Sequence, residues 1–156
     1  MKTLIPLLSL LLLAGCATPY QSGGFRGGYK ELQLDEHVFR VTFRGNAFVS
    51  ADRVRDYTLL RSAELARERG YRWFAIVDQD SHETTGTVYT PATTYTTASV
   101  SGNNLYGTST TYGGMTSSYS KPSSSNTIVC YVEKPEGFSY NVANVIESLR
   151  SAYKMR

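Results

Sequence analysis

The chain has 156 residues, 41% of them apolar, with 16 basic and 13 acidic side chains and a net charge of +3. That is one domain's worth of polymer, and so small a surplus argues against nucleic acid, whose phosphates need a concentrated basic face. Two cysteines are too few for a disulfide-stapled miniprotein. Beyond the first fifteen residues no apolar run approaches the roughly 20 residues of a spanning helix.

Residues Met1 to Gly15 carry Lys2 at the positive end, an apolar stretch from Leu4 to Leu13, and the small residues Ala14 and Gly15 ahead of Cys16. This is the pattern of a secretory signal, too short to persist as a transmembrane helix. Leu13-Ala14-Gly15-Cys16 resembles the lipobox of bacterial lipoproteins. The resemblance implies that Cys16 is acylated and becomes the first residue of the mature chain. Ala17, where an aspartate would resemble an inner-membrane retention signal, implies sorting to the outer membrane, with the domain facing the periplasm. The competing reading is an ordinary cleavable signal that happens to end in cysteine. At about 0.8 kcal/mol per buried methylene, two or three acyl chains hold a protein on a membrane essentially permanently. Gly23-Gly24 and Gly27-Gly28, flanking Phe25-Arg26, suggest a flexible tether over residues 16–28.

From Tyr29 the signals are dense. Tyr29 to Leu34 alternates, Asp35-Glu36 turns, and His37 to Arg44 alternates again, with Phe39, Val41 and Phe43 on one face and Arg40, Thr42 and Arg44 on the other. The pattern predicts a hairpin with one wet face. Ser50 is a good N-cap with Asp52 in the first turn, and Gly70 stops a helix that runs to Arg69. Leu59, Leu60, Ala63 and Ala66 share a side of it, while Arg53, Arg61, Glu64, Arg67 and Glu68 supply charge. It therefore reads as an amphipathic helix lying on a sheet. Tyr71 to Asp78 is a nearly continuous apolar strand of the kind that sits centrally.

The composition then breaks. No charged residue occurs from Thr84 to Ser120, and 32 of the 44 residues from Thr84 to Thr127 are Ser, Thr, Gly or Tyr. Only Val88, Val100 and Leu105 there are Leu, Ile, Val or Phe, so the core is expected to form without this insertion. Thr and Tyr favour strands and Gly102-Asn103-Asn104 is a good turn, which allows a long hairpin from Val88 to Ser101 and Leu105 to Tyr112. Such an arm has no buried face, so a mostly mobile segment is expected, with strand only where it leaves and re-enters the core sheet.

After the insertion, Thr127 to Lys134 is strand-like and Pro135-Glu136-Gly137 turns. A final helix follows, with Phe138 stapling against Ala143 across a Ser139 cap, and with Val142, Val145, Ile146, Leu149 and Tyr153 on one face. The order β-β-α-β-(insertion)-β-α predicts an α+β fold. It is a two-layer sandwich, with a mainly antiparallel sheet of four to five strands, two helices on one face, and a low-complexity insertion at about 84–127 of a single domain over 29–156. Phe39 to Asn46, Tyr57 to Ala66 and Gly70-Tyr71 resemble an uncharacterised family of small proteobacterial lipoproteins. The likeness covers roughly Tyr29 to Val77 and the C-terminal helix, and implies an envelope lipoprotein with no assigned activity or catalytic residues.

Few residues could carry chemistry. Apart from Cys16 the only thiol is Cys130, in the β-branched run Thr127 to Glu133, where cysteine packs as a small hydrophobe. A catalytic thiolate would need an imidazole, and no spacing nominates His37 or His82. Asp78, Asp80 and His82 alternate on an extended chain next to Glu83 and could reach one cation, although no second segment completes a shell. Arg40 and Arg44 share a strand face and are candidate contacts for a lipid phosphate, a glycan carboxylate or a partner, unless helix acids or solvent take them. Arg61, beside Leu60, is expected to pair with Glu64 or a strand carboxylate. There is no Ser-His-Asp geometry, no phosphate loop and no implied cofactor. The expectation is a lipid-anchored envelope protein of unknown activity, a non-enzymatic module binding an envelope protein or glycan. An adhesive role of the Tyr/Ser/Thr-rich insertion and a metal-assisted enzyme are the alternatives.

Overall fold

The computed structural model describes residues 17–155. The leader from Met1 to Gly15 and the acylation position Cys16 lie outside the described residues. Seven strands and two helices follow in order: β1 (Gly28–Asp35), β2 (Val38–Arg44), α1 (Ala51–Glu68), β3 (Trp73–Thr90), β4 (Thr93–Ser101), β5 (Asn104–Tyr112), β6 (Met115–Tyr131), β7 (Tyr140–Asn141) and α2 (Val142–Ala152). Five strands make one sheet in the order β1-β2-β6-β3-β7, and β4 and β5 make a second. The fold is α+β, with a mainly antiparallel sheet and two helices packed on it. Among the described residues no helix is long and apolar enough to cross a membrane.

Alternation sets the main sheet's two faces. β2 opposes β1 and β6 in antiparallel register, with Phe39 beside Ile128, Val41 beside Asn126 and Phe43 beside Ser124. These residues point at the helices. Phe39, Val41, Phe74, Ile128 and Cys130 pack with Leu60, Ala63, Leu65 and Ala66 of α1 and with Val142 and Ile146 of α2. Each large side chain fully buried there contributes about 1.5–3 kcal/mol of transfer free energy. A second cluster gathers Phe43, Val49, Val54 and Tyr57.

Helix α1 begins and ends at the expected residues. The Ser50 hydroxyl caps the amide of Arg53, and Gly70 takes a left-handed φ of 86° after the last turn. For α2 the cap moves from Ser139 to Asn141, whose side chain accepts from the amide of Asn144. The cause is β7, where Tyr140 and Asn141 pair with Phe74 and Trp73 and hold the chain extended two residues longer. Phe138 remains exposed and packs edge-on against Tyr140, with ring centroids 5.0 Å apart. The central place in the sheet goes to β6, while β3 lies between β6 and the two-residue β7.

Two further expectations are corrected. Residues 17–28 are folded onto the domain and do not form a free tether. Thr18 is 2% exposed, its hydroxyl donating to the carbonyl of Arg26 (2.8 Å) and accepting from the amide of Asn46 (2.8 Å). The Tyr20 ring packs against Tyr29, Phe43 and Tyr57. The chain from Thr84 to Thr127 is also not wholly outside the core, because Ser124, Asn126 and Thr127 are buried where β6 pairs with β2. Ser and Asn there complete a sheet whose other strands bring the apolar side chains.

Residues 85–119 form a separate compact unit. It is strand nearly throughout, and contains the hairpin that the composition allows in place of a mostly mobile segment. β4 and β5 pair from Thr93 with Tyr112 to Ser101 with Asn104 around a Gly102-Asn103 turn, Gly102 having a φ of 61°. Pro91, lacking an amide hydrogen, breaks β3 from β4. Every residue of β4 and β5 is exposed, so the pairing rests on the backbone ladder and on cross-strand side chains such as the Thr94 and Thr111 hydroxyls (2.9 Å) and the Tyr95 and Tyr112 rings (6.1 Å between centroids).

Candidate functional site

One face of the main sheet is turned away from the two helices. It carries Leu32 of β1; Val38, Arg40, Thr42 and Arg44 of β2; alternate residues of β6; and Val77 of β3. Leu32 and Val77 are exposed although apolar. Arg40 stands between Leu32 and Thr127, with its Nε donating to the Thr127 hydroxyl at 3.4 Å. Arg44, four residues and so about 13 Å further along the strand, is at the rim of a pocket of about 330 Å³ with His82, Lys121, Pro122 and Ser123. The two arginines thus share a face but have different neighbours, apolar for Arg40 and basic for Arg44. Lys121 was not legible beside Arg44, because only the antiparallel pairing of Arg44 with Ser123 brings the two segments together.

Asp78, Asp80, His82 and Glu83 are all exposed. His82 lies 3.6 Å from Asp80, and Glu83 accepts a hydrogen bond from Ser120 at 2.6 Å. Among the described residues no three His, Cys, Asp or Glu side chains converge as a metal-holding group. Cys130 is buried beneath the helices, and that burial pushes its thiol up to about 12. The nearby imidazole of His37 is turned to the hydroxyl of Tyr71 at 2.7 Å.

The most concentrated polar chemistry is internal. Arg61, 9% exposed, makes a two-pronged contact with Glu68 (both 2.8 Å), and also binds Glu31 of β1 and Glu64 (3.4 Å). Glu64, 4% exposed, also receives Arg150 of α2 at 2.8 Å and the hydroxyl of Tyr20. Burial opposes the charge on Arg61, but the hydrogen bonds it donates to Glu68 and Glu31 outweigh it and hold the guanidinium above its ordinary value. Burial, reinforced by the bond to Glu64, raises the hydroxyl of Tyr20. The expected partners of Arg61, Glu64 and a strand carboxylate, are both present. What was missed is that Arg61 and Glu64 face inward, where they join the N-terminal segment, β1 and both helices through complementary charges. Such a network holds elements together, and its groups are already engaged with one another.

No protein-family model, curated protein or solved structure matches the chain.

Proposed function

We propose that this is a lipid-anchored protein of the bacterial envelope, held at the outer membrane through Cys16 with its folded part in the periplasm. In this reading the domain is a non-enzymatic binding or structural module, and its contact surface for an envelope protein or glycan is the sheet face turned away from the helices. The observation that carries it is the arrangement on that face, where the exposed Leu32 pairs with Arg40 and Val77 is exposed as well. Apolar side chains interleaved with arginine are what binding surfaces use, since they combine area with hydrogen-bond donors. The chain's other concentrated polar groups, Arg61, Glu64 and Arg150, are engaged internally.

Two measurements test it. Cys16→Ser should move the protein from the membrane to the soluble fraction, and continued membrane attachment would refute the anchor. A photo-crosslinker at Leu32 in intact envelopes should give a discrete adduct that the same group at Glu147 of α2 does not; no adduct at Leu32 would refute the binding face. A second reading is favoured by the unit at 85–119, whose exposed Tyr89, Tyr95, Tyr106 and Tyr112 offer rings for stacking on sugars or other aromatics. In that case removing residues 85–119 abolishes adhesion and leaves the Leu32 adduct intact.

A further inference from the structure

The N-terminal segment joins the domain almost at once. Thr18 is buried, and in the sequence Ala17 alone separates it from Cys16, the proposed anchor. An anchor at Cys16 therefore leaves no slack, and the protein surface around Thr18 must meet whatever holds the acyl chains.

That surface has a definite composition. The Thr18 hydroxyl donates to the carbonyl of Arg26, within the tight turn from Gly24 to Gly27, where each glycine amide binds the other's carbonyl at 3.0 Å. Phe25 is at the tip of this turn and fully exposed. On the other side of Thr18, the side-chain oxygen of Asn46 accepts from the amides of both Thr18 (3.3 Å) and Phe48 (3.0 Å), which fixes a second loop. Phe48 is 69% exposed. Two exposed aromatic rings are thus carried on loops that both hydrogen-bond Thr18.

The turn is seated by a close backbone approach. Gly27 has a φ of 93°, and a Cβ there would collide with the carbonyl oxygen of Arg44. Arg26 and Arg44 are exposed beside the rings, and Lys121 is close by, because the amide of Gly45 binds the carbonyl of Pro122 (2.8 Å). Of the acidic groups at this end, Asp52 is engaged by Arg55, and Glu83, across the sheet from Pro122, accepts from Ser120. Exposed rings within a basic rim suit the boundary of an anionic bilayer, where rings enter the acyl region and cations meet phosphate.

We infer that Phe25 and Phe48 insert into the bilayer interface, with Arg26, Arg44 and Lys121 against anionic headgroups, so that the domain is docked on the membrane in a fixed orientation. This deepens the envelope-lipoprotein reading and rests on the anchor at Cys16. It gives Arg44 a ligand, a lipid phosphate, and separates it from Arg40 on the binding face.

The test uses the full acylated protein in vesicles of phosphatidylethanolamine and phosphatidylglycerol, with Trp73→Phe to remove the native indole. Tryptophan is then placed singly by Phe25→Trp and by Phe48→Trp. Docking predicts that both fluoresce to the blue of a water-exposed indole and lose emission when the lipids carry bromine on their acyl chains. It also predicts a weaker loss when phosphatidylglycerol is left out. Water-like, unquenched emission from both positions in protein that stays with the vesicles overturns docking and leaves the anchor standing. Protein that does not stay with the vesicles overturns the anchor, and docking with it.

Discussion

Asn126 illustrates how one residue's environment sets its energetic role. Its side chain faces the core between β2 and the helices, and among the described residues neither its Nδ2 nor its Oδ1 has a hydrogen-bond partner. A buried polar group left unpaired costs about 1–3 kcal/mol. Asn126→Val should therefore raise the stability by an amount of that order, read as a higher urea midpoint at unchanged slope. Cys130 gives a second expectation. Burial raises its thiol from 9.0 to about 12, so the unfolded chain loses the proton first as pH rises, and stability should fall between those values. Cys130→Ala should remove that part of the alkaline slope, and the native thiol should resist alkylation at pH 8 until the protein is unfolded. The burial of Cys130 was legible because β-branched neighbours mark a core strand. The burial of Asn126 was not, because an asparagine in a Ser-rich run looks like loop until its partner strand is known.

At the scale of elements, charge placed inside the fold matters more than charge on its surface. Arg61 holds β1 to α1, and Glu64 holds α1 to α2 and to Tyr20. Removing Arg61 would leave carboxylates without their cation, and breaking one partner of a buried network costs about 3–5 kcal/mol. Arg61→Ala should destabilise on that scale, whereas Arg53→Ala on the same helix's exposed side should not. The bond from Arg61 holds the Glu68 carboxyl below its ordinary value. Its stabilisation is then present above the unfolded carboxylate range and lost as pH falls through the folded value, so Arg61→Ala should flatten the acid limb of the stability curve. The cap of α2 offers a paired test. Asn141→Ala should cost about 1 kcal/mol, while Ser139→Ala should cost nothing, since the buried Ser139 hydroxyl has no partner among the described residues. Both helix spans were legible from periodicity. The shift of the cap was not, because β7 exists only once Tyr140 finds Phe74.

For the molecule as a whole, the chain from 85 to 119 is a unit of its own, while the rest holds both hydrophobic clusters. Joining Thr84 to Ser120 through an Asn-Gly turn should leave the thermal unfolding transition of the remaining domain in place. Loss of that transition would show that the uncharged strands contribute to the core. The order of elements, the α+β class and the alternating face of β2 follow from local pattern, since spacing of apolar residues is a property of the sequence itself. So does the lack of a core in the uncharged segment, whose composition supplies almost nothing to bury. Other features depend on which segments become neighbours. Thr18 is fixed only because Arg26 and Asn46 come to it, and Lys121 reaches the end occupied by Arg44 only through the pairing of β2 with β6. Arg61 and Glu64 are inside only because a strand carboxylate and Arg150 are there to meet them. Periodicity assigns a residue to a face. Which partners that face meets is set by contacts between distant parts of the chain, and only the tertiary structure decides them.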